Sequence, residues 1–81
     1  MKIDFSRHAK RRMQLYKIDE NDVKITIENV LSNEGITSGK HEKVNQDLSE
    51  KYGYPLKVVF LIEDEDIIVL TSYPLKKERG K

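Results

Sequence analysis

His8 and Arg12 stand four residues apart near the start of the chain, within Phe5-Ser6-Arg7-His8-Ala9-Lys10-Arg11-Arg12-Met13. In a helix that spacing sets an imidazole one turn from a guanidinium on the same face. The imidazole has an ordinary pKa that lets it exchange a proton near neutral pH, and the guanidinium can hold two phosphate oxygens at once. Far along the chain, Thr71 and Tyr73 end an apolar run. They offer a hydroxyl able to bond a phosphate or orient the histidine, and a phenol able to donate a proton or stack on a base. Cleaving RNA without a metal needs a base for the 2′-hydroxyl proton, an acid for the leaving oxygen and cations for the crowded phosphorane. His8, Arg12, Tyr73 and Thr71 are therefore the candidate catalytic residues. Each also has a plainer reading. His8 can brace the sheet by hydrogen bonding, Arg12 can pair with Asp4 or an acid of a second helix, and Thr71 and Tyr73 can be simple strand residues. His41 is either a second acid–base partner or a surface residue.

Charge supports a phosphate partner. The net charge is +1 over 81 residues, but it is unevenly spread. Residues 1–17 carry six Lys or Arg against Asp4 alone, while residues 18–75 are acidic on balance. Basic residues return in the tail 76–81. Arg7, Lys10, Arg11 and Lys17, with Lys76 and Lys77 from the tail, are the candidate nucleic-acid-binding residues, since basic patches attract phosphates. The alternative is a solvated surface. The chain lacks cysteine and has two histidines, so neither a disulfide framework nor a structural zinc site is expected, and no cofactor is implied. No stretch has the length of a membrane span and the start lacks a signal peptide's apolar core, which makes the cytoplasm the expected location.

These side chains need elements to hold them: if the first helix packs near the C-terminal end of the last strand, His8 and Arg12 meet Thr71, Tyr73 and the Lys76-Lys77 tail. Phe5, Ala9, Met13 and Tyr16 recur at helical spacing, and Ser6 sits where an N-cap belongs, which predicts a first helix from Arg7 to about Tyr16. Asp19 caps a second helix whose core stripe is Val23, Ile27, Val30 and Leu31. Ile25 falls off that stripe and favours the competing strand reading, in which Val23, Ile25 and Ile27 alternate. Ser32–Gly39 reads as loop with a short strand near Gly35–Thr37, His41–Asn45 as an edge strand, and Ser49–Pro55 as a turn-rich link. Leu56–Ile62 and Ile67–Tyr73 are the clearest strands, joined by a loop of four acids, Glu63 to Asp66. With Ile62 opposite Ile67, strict alternation puts Leu56, Val58, Phe60, Ile62, Ile67, Val69, Thr71 and Tyr73 on one face. Lys57, Val59, Leu61, Ile68, Leu70 and Ser72 fall on the other, where Val59, Leu61, Ile68 and Leu70 suggest a further layer or a partner. The expected architecture is α+β, with two N-terminal helices packed on one face of a small twisted antiparallel β-sheet. Residues 1–75 form a single domain in this reading, and residues 76–81 a basic C-terminal tail.

The run from Ser6 to Met13, followed by Ile18 and Asp22-Val23, resembles the opening of the domain-of-unknown-function 4258 family, roughly Ser-x-His-Ala-x-x-Arg-Met, a second Arg, then Ile and Asp-Val. Val58-Val59 and Val69-Leu70-Thr71-Ser72-Tyr73 resemble that family's last hairpin with its Thr-x-Tyr ending. The family's second Arg is absent: Tyr16 and Lys17 stand there, and Lys17 is the candidate substitute. The resemblance implies a RelE-like fold of the RelE/ParE toxin type, whose relatives include metal-independent RNases and non-catalytic members. The expected function is thus a toxin-like component of a bacterial toxin–antitoxin pair, a metal-independent endoribonuclease acting on mRNA. The alternative is a non-catalytic protein- or nucleic-acid-binding module of the same fold. Expected partners are an antitoxin protein on the free sheet face, RNA or the ribosome, or a second copy in a homodimer, and no membrane.

Overall fold

The computed structural model describes residues 2–35 and 37–76. The chain begins with strand β1 (Lys2–Phe5) and turns at once into helix α1 (Arg7–Tyr16). Ser6 makes that turn possible. Its backbone is extended, and its hydroxyl accepts the Ala9 N–H in the first turn of α1, where intrahelical partners run out. Lys17 ends α1 in a left-handed conformation (φ 56°), uncommon for a residue with a Cβ. Helix α2 (Glu20–Glu34) starts at Asp19, whose carboxylate accepts the Asn21 N–H. Helix is therefore the outcome for the segment that also reads as a strand, and the cost is Ile25, 51 % exposed. Helical hydrogen bonding continues to Glu34 and closes from Gly35 to the Leu31 carbonyl, so the expected loop from Ser32 starts later. The short strand expected near Gly35–Thr37 includes Ile36, which lies outside the described residues; Gly35 and Thr37 themselves are not in a strand.

Strand β2 (Gly39–Asn45) leads through a 3-10 turn (Gln46–Leu48) into the single-turn helix α3 (Ser49–Tyr52), so the link expected before β3 is partly helical. Strands β3 (Leu56–Glu63) and β4 (Asp66–Pro74) form the central hairpin. Ile62 does lie opposite Ile67, and pairing continues outward to Glu63 and Asp66. Only Asp64 and Glu65 are left to turn the chain, with Asp64 at φ 57°, as a two-residue hairpin demands. The sheet runs β1-β4-β3-β2. It is mixed: β1 lies parallel to β4, where an antiparallel sheet was expected, because the chain leaves β1 through a helix and not through a hairpin.

The core-forming residues of the helices, and Ile18 between them, face one side of the sheet. Ala9, Met13, Ile18, Val23, Ile27 and Val30 pack with Leu56, Val58, Phe60, Ile62, Ile67 and Val69. The architecture is a small α+β domain. One irregularity decides what its other side carries. Val59 pairs with Thr71 but Phe60 pairs with Val69, which leaves Leu70 as an extra residue in β4. Such a bulge reverses the inward–outward alternation beyond it. Ser72, expected outside, is fully buried and donates its hydroxyl to the Lys57 carbonyl. Thr71 and Tyr73, expected on the core face with Phe60, are instead on the open face with their partners Val59 and Lys57.

Candidate nucleic-acid interface

Arg12 and Tyr73 meet. The chain enters α1 beside β4, with the Ser6 N–H on the Val69 carbonyl (2.9 Å) and the Ser6 hydroxyl on the Leu70 carbonyl (3.0 Å). α1 then packs against β4, burying Ala9 and Met13 on the core side. Arg12 is three positions from Ala9, around the helix from the buried stripe. It reaches Tyr73 of the open face, with its guanidinium carbon 5.5 Å from the ring centroid. That distance is a cation–π contact. No ion pair of Arg12 with Asp4 or an acid of α2 forms among the described residues, so its charge remains available to an anion.

Lys57 lies on the other side of Tyr73 in the cross-strand pair. Its ammonium bonds Glu42 of β2 at 3.1 Å. The Glu42 carboxylate, and after it the neighbouring Tyr73, hold the Lys57 pKa above the ordinary lysine range. Reciprocally, the hydrogen bond from Lys57 holds the Glu42 carboxyl below its usual range, so Glu42 is a weak base. Arg12, Tyr73, Lys57 and Glu42 thus form a row across the open face from α1 to the edge strand. Lys57 and Glu42 escaped the sequence reading. The available signal was Lys57 itself, a charge inside an otherwise apolar strand, but its meaning depends on which β4 residue lies opposite.

Thr71 shares this face, but its Oγ1 is buried and has no hydrogen-bond partner. It does not orient His8. His8 is exposed, one turn before Arg12 on α1, and makes no hydrogen bond among the described residues. The expected brace between His8 and the sheet is therefore not formed. His41 is not a free surface group either. Its ring stacks on Phe60 (5.4 Å, 17°), and its Nε2 donates to the Thr37 carbonyl at 2.7 Å, closing the β2 edge over the core.

The other basic residues collect on a different flank of α1. Arg7, Lys10, Arg11 and Lys17, with Gln14 and one acid, Glu20, line an open concavity of about 520 Å³ that also takes in Met13 and Ile18. Positions 7, 10, 11, 14 and 17 share one helical face, and the left-handed turn at Lys17 ends that row. Two cationic surfaces thus flank one helix, and Arg12 is not in the larger one. Lys76 lies over the Tyr54 ring at 5.9 Å and does not line the α1 concavity. Lys77 lies outside the described residues, as do Arg79 and Lys81 of the tail. Among the described residues no cluster of three or more His, Asp or Glu is placed to hold a metal ion, and no helix is long and apolar enough to cross a membrane.

Among known families, one described as a domain of unknown function, DUF4258, matches residues 5–74. That span runs from the residue before the Ser6 cap to the last residue of β4. No curated protein and no solved structure matches the chain significantly.

Proposed function

The chain belongs to the DUF4258 family, and we propose that it is an RNA-directed module of the RelE/ParE toxin type that grips a phosphodiester with Arg12 and presents Tyr73 to the adjoining nucleotide. The observation that carries this reading is the Arg12 guanidinium over the Tyr73 ring on an open sheet face. An unpaired guanidinium docked on an aromatic ring is held in place without losing its charge, so a phosphate gains a fixed fork of donors. The basic row on the outer flank of α1 adds longer-range attraction. An antitoxin protein on the same sheet face would close the site and complete a toxin–antitoxin pair.

Cleavage is the second reading, and the position of His8 one turn from Arg12 favours it. In that reaction the 2′-oxygen attacks phosphorus as His8 takes its proton. The bond from phosphorus to the 5′-oxygen breaks, and Tyr73 supplies the leaving oxygen's proton. The products are a 2′,3′-cyclic phosphate and a 5′-hydroxyl. Arg12 stabilises the charge that builds on the phosphorane. The exposure of His8, with no group to orient it, is why binding is the primary reading.

Fluorescence anisotropy with single-stranded RNA tests binding. Arg12→Ala should weaken affinity about tenfold and lower the slope of log affinity against log salt by about one. Arg12→Lys should recover the salt slope but not the full affinity, because a lysine lacks the planar fork. Equal affinity for wild type and Arg12→Ala would remove the proposal. The same RNA, followed by gel with and without ribosomes, decides on cleavage. Intact RNA throughout leaves the non-catalytic module. Cleavage that His8→Ala abolishes, without a change in thermal midpoint, establishes the reaction.

A further inference from the structure

We infer that Ser6 is a positioning residue: one hydroxyl caps α1 and holds the β4 bulge, and thereby sets Tyr73 under Arg12. The inference rests on the reading of the Arg12–Tyr73 pair as the RNA contact.

β4 has two competing registers. Strict alternation would leave Thr71 and Tyr73 on the core face with Phe60 and Val69, and its apolar pattern makes that arrangement plausible from the residues alone. The bulge at Leu70 selects the other register, with Ser72 inside and Tyr73 outside. In that register Thr71 Oγ1 is, among the described residues, the buried side-chain polar atom without a hydrogen-bond partner, and an unsatisfied buried hydroxyl is destabilising.

The compensation comes from Ser6. Beyond Phe5 opposite Val69, β1 stops pairing and the outer side of β4 meets α1. At this point Ser6 makes four bonds. Its carbonyl accepts the Lys10 N–H of α1 at 2.9 Å, its N–H donates to the Val69 carbonyl at 2.9 Å, its hydroxyl donates to the Leu70 carbonyl at 3.0 Å, and the hydroxyl oxygen accepts from the Ala9 N–H at 3.0 Å. Leu70 is the inserted residue, so the hydroxyl bond ties the bulge directly to the first turn of the helix that carries Arg12. A hydroxyl can donate and accept at once. A carboxylate only accepts, and the Leu70 carbonyl would then face a like partial charge.

That asymmetry separates capping from positioning. Ser6→Asp keeps a good helix cap and removes the bulge bond. Ser6→Thr keeps both bonds. Ser6→Gly removes both side-chain bonds at a position where glycine is an accepted cap. The readout that needs no RNA is the upfield ring-current shift of the Arg12 side-chain protons by Tyr73, with Tyr73→Leu as its zero. The thermal midpoint and single-stranded RNA affinity are measured in parallel. Ser6→Asp is expected to fold with the α1 cap intact and a modestly lowered midpoint, lose most of the Arg12 ring shift and lose about tenfold in affinity. Ser6→Thr should match wild type in all three. If Ser6→Asp does not fold, Ser6→Gly decides by the same ring shift. A wild-type Arg12 ring shift in either variant overturns the inference. Should wild type bind no RNA, the proposed function fails while the ring shift still decides the role of Ser6.

Discussion

The Tyr52 hydroxyl shows how a single polar group can join two elements, α3 and the first turn of α2. It donates to the Asp22 carboxylate and accepts the Asp19 N–H at 3.0 Å, while Lys51 bonds the same carboxylate at 2.7 Å. Partial burial works against ionisation of Asp22, but the hydrogen bonds from Lys51 and Tyr52 together outweigh it and hold the carboxyl below its ordinary range. A depressed carboxyl stabilises the fold above its unfolded pKa and loses that contribution as pH falls through the folded value. Melts of wild type should therefore weaken below about pH 4, the ordinary carboxylate range, and Asp22→Asn should flatten that acid limb. Tyr52→Phe should cost about 1–2 kcal/mol at neutral pH, because Asp22 and the Asp19 amide each lose a partner. Chemical denaturation measures it. An unchanged midpoint would mean that α3 is not held by this hydroxyl.

Among the elements, α1 serves two faces at once. Its Ala9 and Met13 side is fully engaged in the core, at 0 % and 5 % exposure, while Leu15 is 70 % exposed. Met13→Asp should cost about 3 kcal/mol or more, since it buries an unpaired charge beside the Phe60 and Val69 cluster. His8→Ala should leave the thermal midpoint within experimental error, because the ring is exposed and makes no hydrogen bond among the described residues. A large loss of stability in His8→Ala would contradict the placement of that helix face. The contrast between these two variants is a test of the rotation of α1 about its axis, which sets where Arg12 points.

At the scale of the whole molecule, a net charge of +1 conceals a polarised surface. The basic row of α1 and the Arg12–Tyr73 pair lie on different flanks, so a bound strand that uses both must cross the outer side of α1. Lys10→Ser with Arg11→Ser should lower the salt slope of RNA binding by about two and leave stability unchanged, as both side chains are exposed. An unaltered slope would confine RNA to the sheet face. The expected apolar set on that face is better sheltered than a bare sheet surface: Val59 is 7 % exposed, and Leu61, Ile68 and Leu70 are half-buried. A second copy or an antitoxin segment seated there would shelter them further. Sedimentation of the isolated protein should then show association that Ile68→Lys weakens, and a monomer at every concentration would exclude the second copy.

Local chemistry alone was enough for most elements. Ser6 and Asp19 mark both long helices because only short polar side chains satisfy first-turn amides in this way. The Ala9–Met13 and Val23–Ile27–Val30 stripes give the buried faces, and the pairing of Ile62 with Ile67 follows from matched apolar runs. His8, Arg12 and Tyr73 could be named as candidates from residue type and spacing. That α1 would meet the end of the last strand could be guessed, and Arg12 does reach Tyr73; the face on which they meet could not. A sheet alternates with period two, so one inserted residue at Leu70 reverses every side chain after it, and no residue type in Leu70-Thr71-Ser72-Tyr73 announces that insertion. It becomes legible only when Ser6, 64 positions earlier, is seen to donate to the Leu70 carbonyl. Parallel pairing of β1 with β4, the Lys57–Tyr73 pair and the division of basic residues between two flanks of α1 are of the same kind. Each depends on contacts between distant segments, which the periodicity of either segment cannot encode.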